Sequence, residues 1–150
     1  MSLSARAHYA CLALLELARQ YEERQQAPIT VQNICLRHGV SHPFLRQILN
    51  RLRASGFVSS ARGAGGGYTL AVPPEQISLK DVLDALGESW ELMPDEPADL
   101  QTPARDLLRG VWAEINASLA EKLASVRFSD LAARYRAALE KTVGEPDWVI

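Results

Sequence analysis

The stretch "SARGAGGGYTL", Ser60 to Leu70, sets four of the chain's nine glycines, Gly63, Gly65, Gly66 and Gly67, beside a single cation, Arg62. A permissive backbone next to a fixed positive charge suits three tasks: cradling phosphates in a nucleotide enzyme, turning the chain, or carrying a hairpin tip into a groove of DNA. The first fails on spacing. A P-loop needs G-x-x-x-x-G-K-[ST], and a dinucleotide fingerprint needs its third glycine three residues after the second, followed by a helix. Counted from Gly65, that place is Tyr68; no lysine follows, and Pro73 and Pro74 come next. Other catalytic patterns are missing too. There is no H-E-x-x-H, no G-x-S-x-G and no Cys/His set at metal spacing, and the only histidines are His8, His38 and His42. The sequence therefore predicts a protein that is not an enzyme.

The remaining cysteines, Cys11 and Cys35, have 23 residues between them and belong to no C-x-x-C pair. They read as small apolar residues on helix faces, since free cysteine is often buried. At 150 residues, 47% hydrophobic and 23% charged, the chain fits one globular domain or a small domain with an oligomerisation element. No apolar run approaches the roughly 18 to 20 residues that span a bilayer, and "MSLSARAHYACLALLELA" is interrupted by charges, unlike a signal peptide. A cytoplasmic location without membrane partners is expected. The net charge of −2 hides an uneven distribution. Between Glu23 and Glu75 there is no acidic residue, whereas Arg37, Arg46, Arg51, Arg53 and Arg62 fall there. From Glu88 to Ile150, seven Lys/Arg face twelve Asp/Glu. A basic window in an acidic chain is the footprint of local polyanion binding.

Those residues need elements to position them. Ala7, Ala10, Cys11, Leu14, Leu17, Ala18 and Tyr21 recur at helical spacing, predicting a helix over about residues 4–23. Thr30 caps a short second helix with Val31, Ile34 and Cys35 inside, and Gly39 falls where a left-handed C-terminal cap favours glycine. Ser41 starts a third helix. There Leu45, Ile48, Leu49 and Leu52 share one side, leaving Pro43, Arg46, Gln47, Asn50 and Arg51 on the other, with His42 and Phe44 in an exposed first turn. This is a helix-turn-helix arrangement. Residues 57–61 and 68–72 read as two strands around the glycine-rich tip, giving a winged helix. Ser78 and Asp81 match a capping box for a helix that ends at Gly87. In this setting the glycines let the tip approach a sugar-phosphate wall closely, and Arg62 supplies charge for an A·T-rich minor groove. The fold class is mostly α (α+β), with a winged helix-turn-helix domain at 1–88, an acidic linker at 89–102, and a dimerisation helix and C-terminal helix at 103–150.

The segments "FLRQILNRLRASGFVSSARGAGGGYTLA" and "ISLKDVLDAL", with "LSARAHYACLALLELA" before them, resemble the Rrf2 family of bacterial transcription regulators over about residues 1–88. The resemblance implies a homodimer on a partly palindromic operator in double-stranded DNA, with a recognition helix in the major groove and the wing in a neighbouring minor groove. It puts Ser4, Arg6 and Tyr9 near the DNA backbone, and Ser41, His42, Phe44, Arg46 and Gln47 near base edges or phosphates. Arg51 belongs to the same cationic face, and the wing is the run Arg62, Gly63, Gly65, Gly66, Gly67 and Tyr68. Many relatives carry an acidic residue where Arg46 stands. A carboxylate accepts from cytosine N4, whereas arginine prefers guanine O6 and N7, so this departure bears on the base read there. Several members hold an iron-sulfur cluster through three cysteines after the wing domain; the matching segment here, "GESWELMPDEPADLQTPARD", has none. The chain resembles the cluster-free branch, with no cofactor expected and regulation by an effector molecule, a partner protein or cysteine oxidation.

Beyond the linker, Leu107, Leu108, Val111, Trp112, Ile115, Leu119 and Leu123 form an apolar stripe of four or five turns, read as a dimerisation face. "FSDLAARYRAALEKTV" predicts a last helix capped at Ser129 and packed back on the wing domain, and Trp148 in the tail is a candidate for docking in an apolar slot. The acidic loop from Glu88 to Asp99 reads equally as a lid or a linker. Repression by occlusion of a promoter is the expected mechanism. The alternatives are a winged-helix adaptor whose arginine face meets an acidic protein, and a regulator with an unconventional iron-sulfur cluster.

Overall fold

A computed structural model of the chain describes residues 2–23, 27–61 and 66–144, with side chains to residue 142. The elements run α1 (Ala5–Glu22), α2 (Val31–His38), α3 (His42–Ala54), β1 (Val58–Ala61), β2 (Gly67–Leu70), a short 3-10 turn (Pro74–Gln76), α4 (Leu79–Ala85), α5 (Pro103–Ser125) and α6 (Phe128–Gly144). Local chemistry sets most boundaries. Side-chain oxygens of Ser4, Thr30 and Thr102 accept from the amides of Ala7, Asn33 and Arg105, satisfying donors that a helix start leaves unpaired. Gly39 ends α2 at φ 65°, where a side chain would be strained. At α4 the capping box is complete: Asp81 N donates to Ser78 Oγ, and Ser78 N donates to the Asp81 carboxylate.

Helix α1 is the centre of the core. It packs against α2, α3, α4, β2 and α6, and its buried Ala7, Ala10 and Ala13 let neighbours approach while Leu14 and Leu17 fill the space between. Leu45, Ile48, Leu49 and Leu52 of α3 are fully buried, each contributing about 1.5 to 3 kcal/mol of transfer free energy. That anchoring fixes which face of α3 points outward. Tyr21, expected on the inner face of α1, is instead 46% exposed near the helix end.

The hairpin is antiparallel, registered from Val58 opposite Leu70 to Ala61 opposite Gly67. Two strands alone are marginal. Here Val58 and Leu70 bury one face, and Ile29 adds a third partner: Ile29 N donates to Tyr68 O at 3.1 Å, and Tyr68 N to Ile29 O at 2.9 Å. The expected strands were longer, 57–61 and 68–72. Ala71 N still donates to Phe57 O, but the chain then bends toward Pro73.

The end of the chain returns to its beginning. Leu79 N donates to Val126 O and Phe128 N to Ile77 O, stitching the α5–α6 corner to the head of α4. Phe128 and Ala132 thereby join the core beside α1. Helix α6 starts at Phe128, one residue before the expected cap at Ser129, because the Arg127 carbonyl already accepts from Leu131 N. Trp148 lies outside the described residues.

Candidate nucleic-acid interface

The outward side of α3 carries Ser41, His42, Arg46, Gln47, Asn50 and Arg51, all exposed. None makes a side-chain hydrogen bond among the described residues, and Ser41, though at the N-cap position, bonds nothing with its hydroxyl. A continuous exposed row of this kind on one helix face stands available to an external partner. A 13-residue helix is about 20 Å long and matches a major groove about 12 Å wide and 8.5 Å deep.

Between α3, the start of α2 and the wing lies a concavity of about 380 Å³ bordered by Gln32, His42, Arg46, Ser60, Gly66 and Tyr68. It brings the recognition-helix cation and the wing backbone to one edge. Arg53 Nη1 donates to Ser60 Oγ at 3.3 Å, tying α3 to β1. Gly67 is required by close approach: a Cβ built there would stand 2.6 Å from the carbonyl oxygen of Ile29. Arg62, Gly63 and Gly65, the tip itself, lie outside the described residues.

Other candidates prove to have structural partners. Phe44, expected in an exposed first turn, is half-buried and meets Tyr9 edge-on, ring centroids 5.8 Å apart. An apolar ring at this position gains from leaving water, and a perpendicular pairing of the two rings is a favourable aromatic geometry. Ser4 caps α1 and also donates through its amide and hydroxyl to Glu88, each at 2.8 Å, which holds the Glu88 carboxyl below the usual range. Arg6 Nη2 donates to Leu86 O at 2.9 Å. Both residues fasten the start of α1 to the end of α4. Arg37, part of the basic window, is drawn inward to Glu16.

Glu16 is the polar residue that sequence reasoning missed. It is 1% exposed, and its oxygens accept from Arg37 Nη1 at 2.7 Å, Arg19 Nη2 at 3.3 Å and the Tyr135 hydroxyl, with His38 Nε2 at 3.1 Å. Burial pushes its carboxyl up, but the Tyr135 hydrogen bond and the Arg37 and Arg19 guanidinium groups outweigh it and hold the carboxyl below the usual range. The Tyr135 phenol is pushed up correspondingly, by burial and by bonding to the carboxylate. These partners join α1, α2 and α6. Burial also pushes the Cys11 thiol up to about 11 and raises that of Cys35.

The apolar stripe of α5 divides. Leu107, Leu108, Val111 and Ile115 are 69%, 52%, 38% and 41% exposed. Leu119 and Leu123 are half-buried and border a small groove with Leu3, Leu83 and Trp90. Trp112 is half-buried beside Met93 and Pro94 of the acidic loop. That loop is fastened: Asn116 bonds both N and O of Leu92, at 2.8 and 2.9 Å, and Glu96 pairs with Arg105 at 2.6 Å and Arg109 at 2.7 Å. Trp90 Nε1 donates to Asp84.

A buried two-helix platform, an outward cationic helix and a wing hinged at Ile29 define a winged-helix DNA-binding protein. A family model described as Rrf2, iron-dependent transcriptional regulator, matches residues 3–134, and the chain belongs to that family. It is 38% identical over 132 residues to the HTH-type transcriptional regulator slr0846 of Synechocystis, covering 87% of both chains. It is 30% identical to the HTH-type transcriptional regulator IscR of Vibrio campbellii, over 87% of this chain and 77% of that one. Among solved structures, CymR, the global cysteine regulator of B. subtilis, superposes with a TM-score of 0.75 at 29% identity, over 89% of this chain and 98% of that one. The IscR of T. potens gives 0.70 at 29% identity, over 97% and 94%. The chain is a winged-helix DNA-binding transcription regulator. Among the described residues, no helix is long and apolar enough to cross a membrane.

Proposed function

We propose that two copies pair through α5 and bind a partly palindromic operator, repressing transcription by covering a promoter in the cytoplasm. The observation that carries this reading is the unbonded polar face of α3 beside the wing, together with the exposed apolar row Leu107, Leu108, Val111 and Ile115. Twofold pairing sets two recognition helices one or two DNA turns apart, at roughly 34 Å per turn. His42, Arg46 and Gln47 then reach base edges, with Ser41 and Arg51 against phosphates. Arg62 and Gly63 to Gly67 enter the minor groove. Ser4, Arg6 and Tyr9 act by holding the frame beneath this surface.

The iron named in the family description meets an unsuitable ligand set here. Cluster iron is held by thiolates, yet the segment 88–102 has no cysteine, and Cys11 and Cys35 sit in α1 and α2 with thiol pKa values raised by burial. No step of this reading passes through a cluster. The same raised values favour control by a ligand or partner over thiolate oxidation.

Footprinting on a bound promoter fragment tests the reading. Two protected half-sites related by twofold symmetry, at a fixed integral number of turns, are expected; a single half-site footprint from a monomer contradicts it.

A further inference from the structure

A second concavity, of about 230 Å³, lies between α1, α2 and the segment 27–29. Its polar lining is unusual for what it leaves unused. Gln20 is only 6% exposed, yet its amide has no hydrogen-bond partner among the described residues. The Asn33 side chain is likewise unbonded, its backbone amide alone serving the Thr30 cap. Arg37 gives one terminal nitrogen to Glu16 and keeps the rest of its fork. Arg19 Nε is buried without a partner among the described residues. Both Glu16 oxygens are taken. Arg19 spends its terminal nitrogens on Glu16 and Glu23, so the lining offers the free part of the Arg37 fork and two amides against the neutralised Glu16 carboxylate. Pro28, Ile29 and Ile34 add an apolar wall.

We propose that this cavity binds a small aliphatic carboxylate with a hydroxyl or amino group on its α-carbon. The carboxylate takes the free fork of Arg37, whose planar donors match it. The amides of Gln20 and Asn33 supply donor and acceptor for the α-substituent, and the short side chain lies on Ile29 and Ile34. Size agrees. At about 30 Å³ per water, the cavity accommodates about eight non-hydrogen atoms, the size of a five-carbon acid.

The position carries a regulatory consequence, which rests on the DNA-binding reading. Asn33, Ile34 and Arg37 belong to the first helix of the helix-turn-helix, and Ile29 is bonded on both sides to Tyr68 of the wing. A ligand that fixes the α1–α2 spacing biases the placement of recognition helix and wing. Linkage then requires ligand and DNA to change one another's affinity by the same factor, about 5- to 150-fold in typical cases.

The test uses the full chain, nitrogen-labelled, without DNA. It is titrated to about 20 mM, which reaches millimolar dissociation constants, with valine, with α-hydroxyisovalerate, and with α-hydroxyisovaleramide as the uncharged control. The side-chain amide signals of Gln20 and Asn33 shift saturably with at least one acid and not with the amide. Arg37→Gln weakens binding about tenfold or more. Asn33→Ala, whose exposed side chain bonds nothing, keeps the fold and weakens binding severalfold. No saturable shift with either acid, an equal response to the amide, or unchanged affinity in both variants overturns the site. Repeating the titration on the DNA complex tests the coupling: unchanged DNA affinity at saturating acid overturns the coupling alone. Failure to bind DNA would count against the regulator reading and leave the ligand titration standing.

Discussion

Arg46 and Arg37 show how the same residue type serves two ends. Both fall in the basic window, but Arg37 bonds the buried Glu16, whereas Arg46 borders the concavity between recognition helix and wing with its side chain unbonded among the described residues. Exchange of Arg46 for Glu changes base preference from guanine toward cytosine at one position of each half-site, by about 1 to 3 kcal/mol of discrimination; a uniform loss on all sequences would assign Arg46 to phosphate. Arg62→Ala weakens binding chiefly at A·T-rich flanks, which competition between flanking sequences measures. Gly67→Ala sets a methyl group against Ile29 O, where the gap is 2.6 Å. The Ile29–Tyr68 bridge then opens, DNA affinity falls, and hydrogen exchange at the Tyr68 amide accelerates, while the helices keep their protection. The sequence made the outer row of α3 legible because helical periodicity alone separates Arg46 and Gln47 from Leu45 and Ile48. It could not show that Phe44 turns to Tyr9, since an aromatic in a first turn finds its partner only through tertiary packing.

At the scale of elements, Glu16 fastens three helices, α1, α2 and α6, through one carboxylate. Its partners Arg37, His38 and Tyr135 come from distant segments, so nothing in the local pattern of α1 separates it from a solvent-facing Glu. Its folded-state pKa lies below the ordinary 4.5. The unfolded state therefore binds the proton more readily. The stability this group contributes is fully present above about pH 4.5 and is lost as pH falls through the folded value. Glu16→Gln flattens that acid limb in chemical denaturation between neutral and acidic pH. At neutral pH it costs about 1 to 3 kcal/mol, the usual consequence of leaving buried hydrogen-bonding groups unsatisfied, since Arg37 is half-exposed and Arg19 keeps Glu23; an unchanged acid limb would place the acid sensitivity elsewhere. Caps at Ser4, Thr30, Ser78 and Thr102 are local and were readable or follow local rules. The Ser129 cap misled because the Arg127 carbonyl, held by pairing with residues 77–79, takes the capping position.

At the scale of the whole molecule, the stripe on α5 serves two surfaces rather than one. Leu119 and Leu123 lie beside α4, while Leu107, Leu108, Val111 and Ile115 keep large exposed areas that one chain leaves uncovered. Periodicity revealed the stripe but not its division, because both halves share the same spacing. Val111→Glu places a charge in the exposed half and yields a folded monomer by light scattering, with operator affinity reduced about a hundredfold or more as the two half-sites uncouple; a variant still dimeric would move the interface off α5. The acidic loop, equally a lid or a linker from its sequence, is anchored through Leu92 to Asn116 and through Glu96 to Arg105 and Arg109, partners that lie too far along the chain for local signals. The most direct measurement for the molecule as a whole is selection of bound sequences from random duplex DNA by the purified protein. A palindromic motif with half-sites one or two turns apart, from a colourless dimer, is the predicted result. No enriched motif, or a protein whose visible absorbance reports bound iron and sulfide, would contradict it.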